Sequence, residues 1–145
     1  MSHYVQDAHQ PFHATDNYDG QKTGNLDVHS RFETGLVERF ESRLQLTPAR
    51  PGPMPSARDA AFDALVVSYG DVEKILAADN AAKAGKDVYD DDYFEKFFTA
   101  VKPVLEERLS AAVTATASLI VAAWEQAGKP AMFTESPRTP RPVVR

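Results

Sequence analysis

The chain of 145 residues is about one domain's worth of sequence, and its 43% apolar and 26% charged residues are the composition of a folded globular protein. A net charge of −5 spread along the chain gives no basic footprint for nucleic acid, and the absence of cysteine excludes disulfides and thiolate metal sites. No run of about eighteen apolar residues is present to span a membrane, and Met1 and Ser2 lead straight into HYVQD, so no signal peptide is read here.

Taken in order, the elements are helices joined by loops, with no strand pattern, and the expected fold class is all-α. Residues 1–8 read as the last turns of a helix that Pro11 stops. ATDNYDGQKTGN, residues 14–25, is turn chemistry, with Asn17, Asp19, Gly20, Gly24 and Asn25. A helix is predicted over about 26–44, because Phe32, Leu36, Val37, Phe40 and Leu44 recur at three- and four-residue steps. TPARPGPMP is a connector that cannot be helical. Ser56 with Asp59 resembles a capping box and opens a helix carrying Phe62, Leu65, Val66, Tyr69, Val72 and Leu76, with Gly70 weakening its continuity. Gly85 marks a break. Asp90, Asp91 and Asp92 then supply the negative charge favoured at the start of the helix YFEKFFTAV, which runs on or kinks at Pro103. A last helix over about 104–127 carries Leu105, Leu109, Val113, Ala117, Ile120 and Trp124 on one stripe and ends at Gly128 and Pro130. Residues 1–130 are thus one helical unit, and 131–145 a Pro-rich, basic tail predicted to be disordered.

The chemistry sits in the first third, where HYVQDAHQPFH holds three of the four histidines. His3 and Asp7 are four residues apart, which places both on one helix face, and His13 lies just past the Pro11 turn. His29 and Glu33 repeat the spacing on the next helix. One such pair is commonly a surface pair; two of them with a His-Gln-Pro-Phe-His turn between point to metal. Imidazole and carboxylate are the zinc ligands left to a protein without cysteine, and three of them plus water make a catalytic site. His9 is two residues from Asp7 and reads as structural.

HYVQDAHQPFH, a Gly/Asn-containing loop and then HSRFE together resemble the zinc-dependent phospholipase C and single-strand-specific zinc nuclease superfamily. Its hallmark is H-x-x-x-D-x-x-x-x-x-H with Gln-Pro inside, then H-x-x-x-D or H-x-x-x-E; His3, Asp7, His13, His29 and Glu33 match it. ERLSAAVTATASLIVAAW also looks like that family's last helix. The resemblance implies a multi-helix domain with up to three zinc ions in one cleft. His13, His29 and Glu33 would form one whole zinc site. His3 and Asp7 would be partial ligand sets for two more, with Asp7 the catalytic, bridging acid. It also implies hydrolysis of a phospholipid or nucleic-acid phosphodiester by metal-activated water, in a secreted or periplasmic enzyme.

The family's other ligands, an N-terminal tryptophan and further histidines and aspartate, have no counterpart here: Trp124 is the only tryptophan, and no histidine follows His29. The expectation is therefore a C-terminal portion of such an enzyme, with one tight zinc, little activity alone, and self-association or a second chain covering apolar surface. Glu33, where the nucleases tend to carry Asp, leans toward the phospholipases. The alternative is a non-catalytic helical module with zinc as a structural staple, or none. Tyr18 reads as an exposed turn residue rather than a cleft residue. DDDYFEKFF lacks calcium-loop spacing, the phenylalanine groups are core, and the tail's PRTPRP is a solvated segment rather than a docking motif.

Overall fold

The computed structural model describes residues 2–85 and 88–131, and among these the regular structure is helical, with no strand. The tail, from residue 132 onward, lies outside the described residues. The elements are α1 (Ser2–Asp7), a 3-10 turn (Pro11–Ala14), α2 (Val28–Ser30), a π-helical turn (Arg31–Gly35), α3 (Leu36–Phe40), a 3-10 turn (Glu41–Arg43), α4 (Ala57–Tyr69), α5 (Val72–Lys83) and α6 (Asp91–Gln126).

α6 organises the rest. Asp90 caps it by accepting from the Tyr93 N–H at 2.9 Å, and Asp91 and Asp92 occupy its first turn, the helix-start role read for this acidic run. Its first half presents Tyr93, Phe94, Phe97, Phe98, Val101 and Leu105 to the core, at the steps one helix face requires. Phe12, Val28, Phe32, Leu36, Val72, Ile75 and Leu76 pack against them, so α2, α3 and α5 all bury their apolar side on α6.

Three expectations need correction. The helix read over 26–44 begins at Val28, because Asp27 takes a left-handed conformation (φ 61°) that no helix continues through; it ends at Phe40 (φ −127°, ψ 16°). Between these points the Leu36 N–H bonds the Arg31 carbonyl, which widens one turn into a π turn. The break or kink at Pro103 is not a boundary: α6 runs through it as one helix. Pro103 and Thr99 both face solvent, so the carbonyl that loses its amide partner can be hydrated, while Val101 and Leu105 hold the helix to the core on the other side. Finally, the stripe on α4 does not face the core. Phe62, Val66 and Tyr69 are 61%, 71% and 61% exposed, and the buried residues are Ala64 and Ser68. Small side chains let α1 and the first 3-10 turn come close, and Ser68 Oγ donates to the Ala8 carbonyl at 2.8 Å. α4 does start where Ser56 predicts, with its hydroxyl accepting from the Asp59 N–H at 3.2 Å, while the weakened continuity at Gly70 is a full break: α4 ends there, and Val72 and Leu76 lie on α5 instead of the same helix.

The Pro-rich connector is a strap laid along α6. The N–H groups of Gln45, Thr47, Ala49 and Gly52 donate to the side chains of Glu106, Ser110, Thr114 and Ser118, at 2.6, 2.9, 2.9 and 3.0 Å. Two extended residues advance roughly 6 Å, as do four residues of α-helix, so the bonds at residues 45, 47 and 49 stay in register; the last step, to Gly52, takes three residues. Pro48 and Pro51 fall between the bonded amides, and Pro53 just past the last of them, where no N–H is needed.

Candidate metal centre

The segment HQPFH is built to display one imidazole. His9 is buried, with Nδ1 2.7 Å from the Val5 carbonyl, and burial lowers its pKa, assisted by the charge of Arg108. Gln10 caps the 3-10 turn, its side-chain oxygen accepting from the Phe12 N–H at 3.0 Å, and Pro11 supplies the fixed φ of the first turn position. Phe12 is fully buried, stacks on His29 at 5.9 Å between ring centroids and meets Phe32 edge-on at 6.2 Å. With its neighbour anchored in this way, His13 stands at the surface, its ring edge-on to His29 at 4.9 Å.

His29 and Glu33 meet it from the following helix. His29 Nε2 lies 2.8 Å from Glu33 Oε2, and ligand atoms of His13, His29 and Glu33 all lie within 4.8 Å of one another. Three donors around one tetrahedral zinc at roughly 2.0–2.1 Å would sit about 3.3 Å apart. The donor set therefore fits zinc in kind, and in position to within a rotation of half-exposed side chains. The other two sequence candidates adjoin this cluster without belonging to it. Asp7 places one oxygen 3.1 Å from His3 Nε2 and the other 3.9 Å from His13 Nδ1, so it bridges the exposed His3 to the trio. Tyr18 is 60% exposed in its turn and lines no part of the cleft.

Beside the cluster runs a groove of about 680 Å³ between α1 and α6. Asp7, Gln10 and Glu33 stand on one flank, and Leu105, Leu109, Val113 and Ile120 form a wall along α6. Arg108 lines it as well, nine-tenths buried, with Nε making no hydrogen bond and lying 3.7 Å from Asp71 Oδ2.

On the inner side of the same ligand helix lies a second polar cluster, which was not anticipated. Arg31 donates from Nε to the Tyr93 hydroxyl at 2.9 Å, from Nη2 to Asp79 Oδ1 at 2.9 Å and from Nη1 to the Leu26 carbonyl at 2.6 Å. Tyr93 donates its hydroxyl to the same Asp79 oxygen, and Asn25 donates to Asp79 Oδ2 at 2.6 Å. Burial, with the Asp79 carboxylate beside it, pushes the Tyr93 phenol well above its ordinary value, so it remains a donor. The cluster fixes the helix bearing His29 and Glu33 to α5 and α6. Gly20 fixes the preceding loop: at φ 72°, a Cβ there would meet the Asn25 carbonyl oxygen at 2.4 Å. Arg31, Asp79 and Arg108 carried no local signal, because their partners lie tens of residues away; Gln10 was visible as a motif letter, without its bonds.

Fold and site together define an all-helical domain that displays an exposed two-histidine, one-carboxylate cluster beside an apolar groove. Comparison with family models, with curated proteins and with solved structures returns no match for this chain.

Proposed function

We propose that this chain carries a zinc centre of a phosphodiester hydrolase, of the kind the HYVQDAHQPFH and HSRFE motifs resemble. The observation that carries the reading is the convergence of His13, His29 and Glu33 on a common point, with Asp7 and His3 adjoining. A zinc ion bound there supplies a water ionised near neutral pH and neutralises phosphate oxygens. The chain's own residues do the rest. His13, His29 and Glu33 would hold the ion; three protein ligands leave room for water, as catalytic rather than structural sites do. Asp7 orients His13 and His3 from between them. Arg108 lines the groove with a guanidinium that Glu107, at 2.6 Å, and Asp71, at 3.7 Å, already neutralise.

The groove favours a substrate with a hydrocarbon arm over a nucleic acid. Its long wall is Leu105, Leu109, Val113 and Ile120, and Arg108 is the one Lys or Arg among the described residues lining it. A nucleic-acid channel needs several cations and stacking aromatics. His3 and Asp7 offer two donors where a zinc takes four, so one tight ion per chain and weak turnover are the expectation.

The test is release of phosphorylated headgroup from a short-chain phosphatidylcholine, set against cleavage of a single-stranded oligonucleotide, with zinc and with chelator. Slow, zinc-dependent lipid hydrolysis that His29→Ala abolishes is the expected result. Zinc bound at the trio with neither substrate cleaved would favour the non-catalytic module instead.

A further inference from the structure

Gln10 makes two bonds that belong to different parts of the molecule. Its side-chain oxygen accepts from the Phe12 N–H at 3.0 Å, within its own turn. Its amide nitrogen donates to Glu33 Oε2 at 3.2 Å, across 23 residues of sequence. The first bond fixes the second. An amide whose oxygen must face an N–H necessarily presents its NH₂ the other way, and that is where the carboxylate lies. The same Glu33 oxygen is 2.8 Å from His29 Nε2. Gln10 therefore links the turn that carries His13 to the helix that carries His29 and Glu33, and gives a half-exposed carboxylate a second partner besides His29 on its own helix, one that comes from another element.

We propose that Gln10 is a positioning residue of the metal centre: it sets the rotamer of Glu33 and the gap between the two ligand-bearing elements before an ion arrives. The inference rests on the zinc reading above and adds a residue that ligates nothing. Partners of this kind, which hold a ligand through a hydrogen bond, typically contribute 10–100-fold to metal affinity. A mere cap for the 3-10 turn would instead contribute to folding and leave affinity alone.

The two roles separate by side-chain length. Gln10→Ser and Gln10→Asn each keep an oxygen able to cap the Phe12 N–H, and both are too short to reach Glu33. Zinc affinity of the full chain is measured by competition with a chromophoric chelator, alongside the melting temperature of the metal-free chain and the visible spectrum of the cobalt(II) form. The expected result is a metal-free melting temperature within about 2 °C of the parent, affinity lower by about 10–100-fold, and an altered cobalt spectrum as Glu33 coordinates less uniformly. Affinity within threefold of the parent in either folded variant, with an unchanged spectrum, overturns the proposal and leaves Gln10 a cap. If the parent itself binds no zinc, the metal reading fails first, and the proposal with it. If Gln10→Ser does not fold, Gln10→Asn decides, because Asn caps at least as well as Ser.

Discussion

Residues 28–40 carry two polar clusters on opposite sides, and they differ in completeness. Inward, Arg31 meets Asp79, Tyr93 and Asn25, and both Asp79 oxygens accept hydrogen bonds from buried donors. Outward, His29 and Glu33 meet His13, Asp7 and Gln10 in a half-exposed arrangement of acceptors and imidazoles with few donors of its own. The inner cluster is buried and nearly closed: of its members' side-chain atoms, the Asn25 amide oxygen is left without a hydrogen-bond partner among the described residues. The outer one is organised but open, rich in lone pairs that a cation would satisfy. One helical segment thus shows what separates a structural polar cluster from a candidate site: not the residue types, but how buried they are and how many of their polar groups the fold already partners.

The comparison breaks most sharply at the inner cluster. Arg31→Met leaves the buried Asp79 carboxylate with Lys83, 3.7 Å from Oδ2, as its remaining cation among the described residues, and the expected loss is about 3 kcal/mol in urea unfolding. A loss below about 1 kcal/mol would mean the inner cluster is not the anchor described. The outer cluster should behave in the opposite way. His29→Gln, at a partly buried ring stacked on Phe12, should lower metal-free stability by about 1 kcal/mol, well below the Arg31 effect. Zinc at a hundredfold its dissociation constant should raise the parent's stability by about 2.7 kcal/mol and leave the variant's unchanged. Smaller still is the strap, where Ser118→Ala removes the acceptor of the Gly52 N–H; about 1 kcal/mol is expected by the same unfolding measurement. The smallest effect is at Glu95, which a hydrogen bond from Arg43 holds below the usual carboxylate range, against an opposing effect of desolvation and with a smaller contribution from the Arg43 charge. A lowered folded pKa adds stability above the unfolded value, near ~4.3, that is lost as pH falls through the folded one. Glu95→Gln should therefore lose a little stability at neutral pH and converge with the parent in acid, as followed by urea midpoints across that range.

Local signals carried much of this arrangement in the sequence. The Ser56 cap, the Asp90 start, the turn chemistry of residues 14–25 and the non-helical connector act over three or four residues and were readable. The phenylalanine core on α6 followed from its spacing. What failed did so where distant packing decides. Pro103 reads as a boundary until Val101 and Leu105 are known to be pinned. The α4 stripe reads as core until Ala64 and Ser68 are seen to be the side that approaches α1. For the site, His/acid spacing indicated which side chains share a helix face, and the HQPFH turn brings the third imidazole to them. The Gln10 bond, the groove and the Arg31 cluster need the fold, since each joins segments from about 20 to about 100 residues apart and none has a local pattern. The strap left a trace, Glu106, Ser110, Thr114 and Ser118 at four-residue steps, that only the position of residues 45–52 makes legible.

Titration of zinc into the full chain by calorimetry, repeated with His13→Ala, bears most directly on the outer cluster. The account predicts one tight equivalent per chain in the parent and its loss in the variant. No binding in the parent, two or more tight equivalents, or binding that survives removal of the His13 imidazole would contradict it.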